Sequence, residues 1–171
     1  MSDSPEEKFR RHFEPLFNKM LAVAWRLTGA KADAEDLAQE TFLKAFRSME
    51  RFDERQSAGA WLYSIMKNTF LNDIRSAKKR EFVPFDEKLV ERAEGIAVGS
   101  VDEMDGRLMA ALDSLPKDMR AVLVAREVGE LSYEEISEAM ELPIGTVKSR
   151  INRARGMLKE NWLNNFGEGE K

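Results

Sequence analysis

Gly145 to Asn161 reads GTVKSRINRARGMLKEN and sets Lys148, Arg150, Arg153, Arg155 and Lys159 against a single acid, Glu160. Cations gathered in this way suit phosphate: a helix that carries them can neutralise a nucleic-acid backbone while its polar side chains reach base edges. The rest of the chain does not share the bias, since the formal net charge is −4. A solvated charged face is the ordinary alternative. Against it stand the scarcity of interleaved acids, which pairing four residues apart would supply, and the residues directly before the helix. Those residues, LSYEEISEAMELPI, offer Ser132 as N-cap with Glu135 three positions on, then Ile136, Ala139 and Met140 as a short apolar face, then a break at Pro143. Two helices joined by about four residues, the second one basic, make the helix-turn-helix plan. With Val147, Ile151, Ala154 and Leu158 as the buried edge, Lys148, Ser149, Asn152 and Arg153 are left to face base edges. Arg150, Arg155 and Lys159 suit phosphates, which position a helix without reading sequence.

Two further groups carry chemistry. Asp36, Gln39 and Glu40 lie on one helical face, a surface suited to arginines on a partner helix. A carboxylate metal site is the rival reading, and it is weak because the one histidine, His12, lies elsewhere. Farther on, Trp61, Tyr63 and Phe70 are interspersed with Lys67, Asn68 and Asn72, and the run ends in Arg75, Lys78, Lys79 and Arg80. Aromatic residues among cations suit single-stranded nucleic acid, by stacking together with backbone attraction. An aromatic at helical spacing is more often core, and Trp61 is read as mainly structural.

The elements that must position these groups are helices. Ser4-Pro5-Glu6-Glu7 begins one with a capping box, Pro15 kinks or restarts it, and Gly29 stops it after Leu16, Met20, Val23 and Leu27. A second, from about Asp33, carries Leu37, Thr41, Ala45 and Met49 as a stripe with Phe42 and Phe46 beside it. A third runs from about Ser57 to Lys79 through Trp61, Ile65, Phe70 and Ile74. From Glu81 to Asp105 acids dominate, and Pro84, Gly95 and Gly99 interrupt any pattern, as in a flexible linker. Helical periodicity resumes through Leu108, Leu112 and Leu115, and again from Pro116 through Val122 and Val124. No alternating strand pattern of useful length occurs. The expectation is an all-α fold of two small helical domains, residues 1–80 and 106–171, joined by an acidic linker at 81–105.

Composition narrows the function. At 43% hydrophobic and 34% charged the chain is neither compositionally disordered nor membrane-spanning. The N-terminal MSDSPEEKFRRHF lacks the apolar core of a signal peptide, which points to a cytosol. There is no cysteine, so disulfides, thiolate metal sites and a cysteine nucleophile are excluded. No nucleophile–histidine pair, phosphate loop or metal cluster appears. The chain reads as a non-enzyme with no cofactor, no metal and no small-molecule substrate.

LPKDMRAVLVAREVGELSYEEISEAMELPIGTVKSRINRARGML resembles the C-terminal promoter-binding domain of an extracytoplasmic-function (ECF) sigma factor. DAEDLAQETFLKAF and AWLYSIMKNTFLNDIRSAKKR resemble the N-terminal domain of that family, in the family's order. Two departures are visible: Glu141 stands where such turns usually have glycine, and Ser137 where they usually have alanine. A left-handed Glu141 is expected to cost roughly 1 kcal/mol. The resemblance implies that Asp33, Glu35, Asp36, Gln39, Glu40 and Phe42 grip a coiled coil of the β′ subunit of core RNA polymerase, with the β subunit a further contact. It implies that Phe52, Trp61, Asn68, Asn72, Arg75, Lys78, Lys79 and Arg80, with the loop from Phe52 to Gly59, bind and open the −10 element. It adds Thr146 to Lys148, Ser149, Arg150, Asn152, Arg153, Arg155 and Lys159 as the −35 surface, and assigns the acidic linker to a basic polymerase channel. Promoter DNA and an anti-sigma factor are the other implied partners. The implied setting is the bacterial cytoplasm, with no membrane insertion of its own; an anti-sigma factor can hold such a protein at the membrane. Two alternatives stand beside it: a helix-turn-helix regulator that is not a polymerase subunit, and a decoy that sequesters an anti-sigma factor.

Overall fold

The structure, a computed structural model, describes residues 3–75 and 103–167; the side chains of 73–75 and 103–104 lie outside that description. Every regular element among the described residues is helical: α1 (Pro5–His12), α2 (Phe17–Thr28), α3 (Lys31–Arg47), α4 (Ala58–Arg75), α5 (Glu103–Asp113), α6 (Lys117–Glu127), α7 (Tyr133–Met140) and α8 (Ile144–Phe166), with two single 3-10 turns after α1 and α3. Of the expected linker at 81–105, residues up to 102 lie outside the described residues, and α5 begins inside its last positions.

Local chemistry explains the helix boundaries. Ser4 accepts from the Glu7 amide at 3.2 Å and Glu7 returns a carboxylate to the Ser4 amide at 2.9 Å, so two orphan donors are satisfied reciprocally. Ser132 and Glu135 repeat the device at the start of α7, at 3.0 and 2.7 Å. Pro15 forces a 3-10 turn between α1 and α2. Gly29 ends α2 with φ +77, a left-handed cap that glycine adopts without strain.

The first unit packs α2 against α3 and α3 against α4. Ala34, Leu37, Ala38, Thr41, Phe42 and Ala45 form the buried edge of α3, opposite Phe13, Val23, Leu27 and Leu62 in the same core. In the second unit α8 lies against α6, α7 and α5. The two units also touch one another, α4 on α7 and α2 on α6, so one apolar cluster runs from Phe9 through Tyr63 and Val122 to Ile151.

The turn between α7 and α8 is closed by Glu141 at φ 54, ψ 45, the left-handed conformation that the resemblance implies for this turn position. The Leu142 amide donates to the Ser137 carbonyl at 3.0 Å, and the Ser137 hydroxyl donates to the Leu142 carbonyl. Ser137 thus fastens a turn that alanine could not. Glu141→Gly should relieve the left-handed strain and raise stability by about 1 kcal/mol, a melting shift of roughly 2–4 °C in calorimetry.

Candidate nucleic-acid and polymerase interfaces

The recognition helix α8 is fixed by its inner edge. Val147, Ile151 and Ala154 are fully buried against α6 and α7, as the spacing predicts. Lys148, Ser149, Asn152 and Arg153 are consequently exposed on the outer edge, and Thr146 is half-buried at its start. The cations then divide into two groups. Arg150 reaches Asp118 on α6 at 3.4 Å, and the Arg155 guanidinium is held by Glu127, with its Nε 2.9 Å from the carboxylate. The Glu127 contact pushes the Arg155 pKa above its ordinary value. Among the described residues Arg153 and Lys159 make no ion pair.

One residue here escaped sequence reasoning. The Tyr133 ring is faced by the Arg126 guanidinium at 4.8 Å and the Lys148 ammonium at 5.8 Å, and Arg155 lies within its reach. Arg126 also donates to the Leu131 carbonyl at 2.9 Å, tying the turn before α7 to α6. The ring thus helps place Lys148, a cation–π contact worth about 0.5–1 kcal/mol at such a site. The signal was an aromatic residue directly after the Ser132 cap.

The acidic face of α3 is open. Asp33, Glu35 and Asp36 are exposed and Gln39 and Glu40 half-buried, with Lys31–Glu35 at 3.9 Å and Glu40–Lys44 at 2.8 Å as internal pairs. Phe42 requires correction as a contact residue: it is 4% exposed and packs on Phe9 and Phe17, because it continues the stripe of Ala34 and Ala38. The exposed aromatic of α3 is Phe46, at 38%.

On α4, Asn68 and Asn72 are exposed four residues apart, as expected. Other members of the set fall elsewhere. Phe52 is buried between Phe13 and Trp61, with ring centroids 4.9 and 5.0 Å away, so it supports the loop rather than presenting a ring to DNA. Trp61 is half-buried in that same stack, the mainly structural place its spacing suggested. Lys67 is 7% exposed, turned toward the C-terminal unit, where burial pulls its pKa down against the opposing pull of Glu141. Ser57 caps α4 by accepting from the Ala60 amide at 3.2 Å. The side chain of Arg75, and Lys78, Lys79 and Arg80 entirely, lie outside the described residues. Among the described residues no cluster of three or more acids or histidines could hold a metal, and no helix is long and apolar enough to cross a membrane.

A basic helix seated on a capped partner through a tight left-handed turn, joined to a second helical unit, defines a helix-turn-helix DNA-binding protein. The family model for Sigma-70 region 2 matches residues 12–80, and that for Sigma-70, region 4 matches residues 105–158. The chain is 35% identical over 155 residues to the ECF RNA polymerase sigma-E factor of Haemophilus influenzae, covering 83% of this chain and 80% of that protein. It is 36% identical over 159 residues to the ECF RNA polymerase sigma factor SigE of Mycolicibacterium smegmatis, covering 91% of this chain and 60% of the relative's own length. Among solved structures, the sigma factor RpoE of Bartonella quintana, in complex with the anti-sigma factor NepR, is similar with a TM-score of 0.72 and 27% identity over 93% of this chain and 99% of that one. CnrH, in complex with the cytosolic domain of CnrY, shares the fold with a TM-score of 0.70. The chain belongs to the ECF RNA polymerase sigma factors. The region 2 match disfavours a regulator that acts apart from polymerase.

Proposed function

We propose that this chain is an alternative sigma factor that directs RNA polymerase to its promoters without catalysis of its own, with the work divided among three surfaces. The exposed edge of α8 reads the −35 element; α4 and the loop before it bind and open the −10 element; the acidic face of α3 grips core polymerase. Residues 1–80 and 106–171 act as the two binding units, with 81–105 between them. An anti-sigma factor controls the chain, as NepR is bound to RpoE in the similar structure. The cytoplasm is where such a polymerase subunit would work.

One observation carries the reading: Lys148, Ser149, Asn152 and Arg153 are exposed on the helix whose opposite edge, Val147, Ile151 and Ala154, is fully buried. That leaves a helix free to enter a major groove with its N-terminal residues toward base edges.

The test separates base reading from phosphate attraction. Lys148→Ala or Arg153→Ala should weaken −35 binding by about 1–3 kcal/mol and relax promoter choice in a randomised −35 library. Lys159→Ala should weaken binding evenly across sequences and lower the salt slope by about 0.9. An unchanged library profile for the first two variants would remove the base-reading role.

A further inference from the structure

The loop from Phe52 to Ser57 is held at both ends and shaped from within. Phe52 is closed in by the rings of Phe13, Trp61 and His12, the last standing edge-on at 5.4 Å. Ser57 is fixed as the cap of α4. Between them Asp53 folds the chain on itself. Its carboxylate accepts from the Arg55 amide at 3.0 Å and the Arg55 guanidinium at 2.7 Å, and its carbonyl accepts from the Gln56 amide at 2.8 Å. The bonds from Arg55 hold the Asp53 pKa down to about 2. An aspartate that bonds the backbone two residues on mimics a backbone turn, so the loop keeps its own shape.

Shape alone does not aim a loop. Among its described residues, Glu54 carries the ion pairs that leave it. Lys8 on α1 reaches Glu54 Oε1 at 3.0 Å, and His12, one turn further on, points Nε2 at Oε2 from 3.5 Å. That nitrogen is buried and without a hydrogen-bond partner in the protein, a rare state for a buried polar atom, and it faces the carboxylate that Lys8 holds. Lys8, and to a lesser degree His12, pulls the Glu54 carboxyl below its ordinary range. Two side chains of one helix thus converge on one residue of the loop.

The base of that tether is firm. α1 begins at a capping box and sinks Phe9 into the core, 5.5 Å from the Phe13 ring and 6.1 Å from Phe42. Lys8 precedes residues 12–80, which the region 2 model matches, so the stronger half of the tether comes from outside the matched segment. Lys8 and Glu54 are both partly exposed, and pairs of this kind contribute little to folding. Cutting the pair therefore leaves the fold intact and frees the middle of a loop whose tip, Arg55 and Gln56, is exposed. A glutamine there offers the donor and acceptor that a base edge requires.

We propose that Lys8 and His12 are positioning residues for this loop, and that by holding Glu54 they set which base the loop accepts at the −10 element. The base-setting role rests on the reading of the loop as part of the −10 surface; the tether does not.

The full-length chain, assembled with core polymerase, tests this on a promoter library randomised through the −10 element. Lys8→Glu sets like charges together and should change base preference at one or two −10 positions by about two- to fivefold. Holoenzyme assembly, −35 preference and the melting temperature of the free chain should stay nearly unchanged. Glu54→Lys should produce the same change, and Lys8→Glu with Glu54→Lys should restore the wild-type profile. Restoration by the swapped pair is a result that general loosening of the fold would not produce. His12→Phe keeps a ring beside Phe52 and removes the nitrogen; it should shift the same positions by up to about twofold. Gln56→Ala separates the two claims. A changed −10 profile for Gln56→Ala beside an unchanged one for Lys8→Glu, or a swapped pair that restores nothing, overturns the tether. An unchanged profile for Gln56→Ala and Lys8→Glu alike overturns the promoter reading of the loop instead.

Discussion

Alanine at Asp36, Gln39 and Glu40 together will abolish assembly with core polymerase while leaving helix content nearly unchanged. The three side chains share the outward face of α3, and the buried stripe from Ala34 to Ala45 does not involve them. Glu40 gives up its pair with Lys44, an exposed contact worth about 0.3–0.5 kcal/mol, and alanine's helix propensity offsets much of it. The external cost is large. A charge-assisted hydrogen bond contributes about 1.5–3 kcal/mol, so losing two carboxylate contacts lowers affinity by more than about a hundredfold. Co-purification with core polymerase, beside a circular dichroism melt, reads both effects. Wild-type recovery of polymerase would remove α3 from the docking surface.

Asn68→Ala will reduce open-complex formation on duplex promoters with holoenzyme assembly intact. Unstacking a base costs a few kcal/mol, and a protein that captures one must offer hydrogen bonds to its edge. Asn68 is exposed on α4, one turn before exposed Asn72 and beyond the Ser57-capped start of the helix. Its neighbours Lys67 and Thr69 are buried, so the position is held firmly from both sides. On a pre-melted −10 bubble the opening cost is already met, and most of the defect should disappear, leaving the part due to base reading. Permanganate footprinting on the two templates separates these parts. Equal reactivity of mutant and wild type on the duplex would make Asn68 a packing residue only.

What could be read in the sequence was what neighbouring residues decide. Both capping boxes, the Gly29 stop and the inner edge of α8 depend on spacings of three to four residues, and the structure places each as expected. Features set by distant partners were not legible. Whether Phe42 or Phe46 faces out depends on Phe9 and Phe17, which arrive from another helix. Phe52 looked available for DNA because nothing nearby in sequence shows Phe13 closing over it. Lys67 reads as one more cation for nucleic acid until α7 is seen against α4. Tyr63 hides its hydrogen bond for the same reason, since its acceptor, the Ala121 carbonyl, lies 58 positions away.

The partners of Arg150 and Arg155 have a consequence for how the protein searches DNA. Asp118 and Glu127 are tethered counterions: they already occupy two cations that a count along α8 would assign to phosphate. Three cations available to phosphate, Arg150, Arg155 and Lys159, would give a log–log salt slope near −2.7, whereas Lys159 alone corresponds to about −0.9. Lower salt sensitivity also means a shallower hold on arbitrary duplex, because that hold is almost wholly counterion release. Time spent on wrong sequence shortens, and residence at a site is left to the side chains that touch bases.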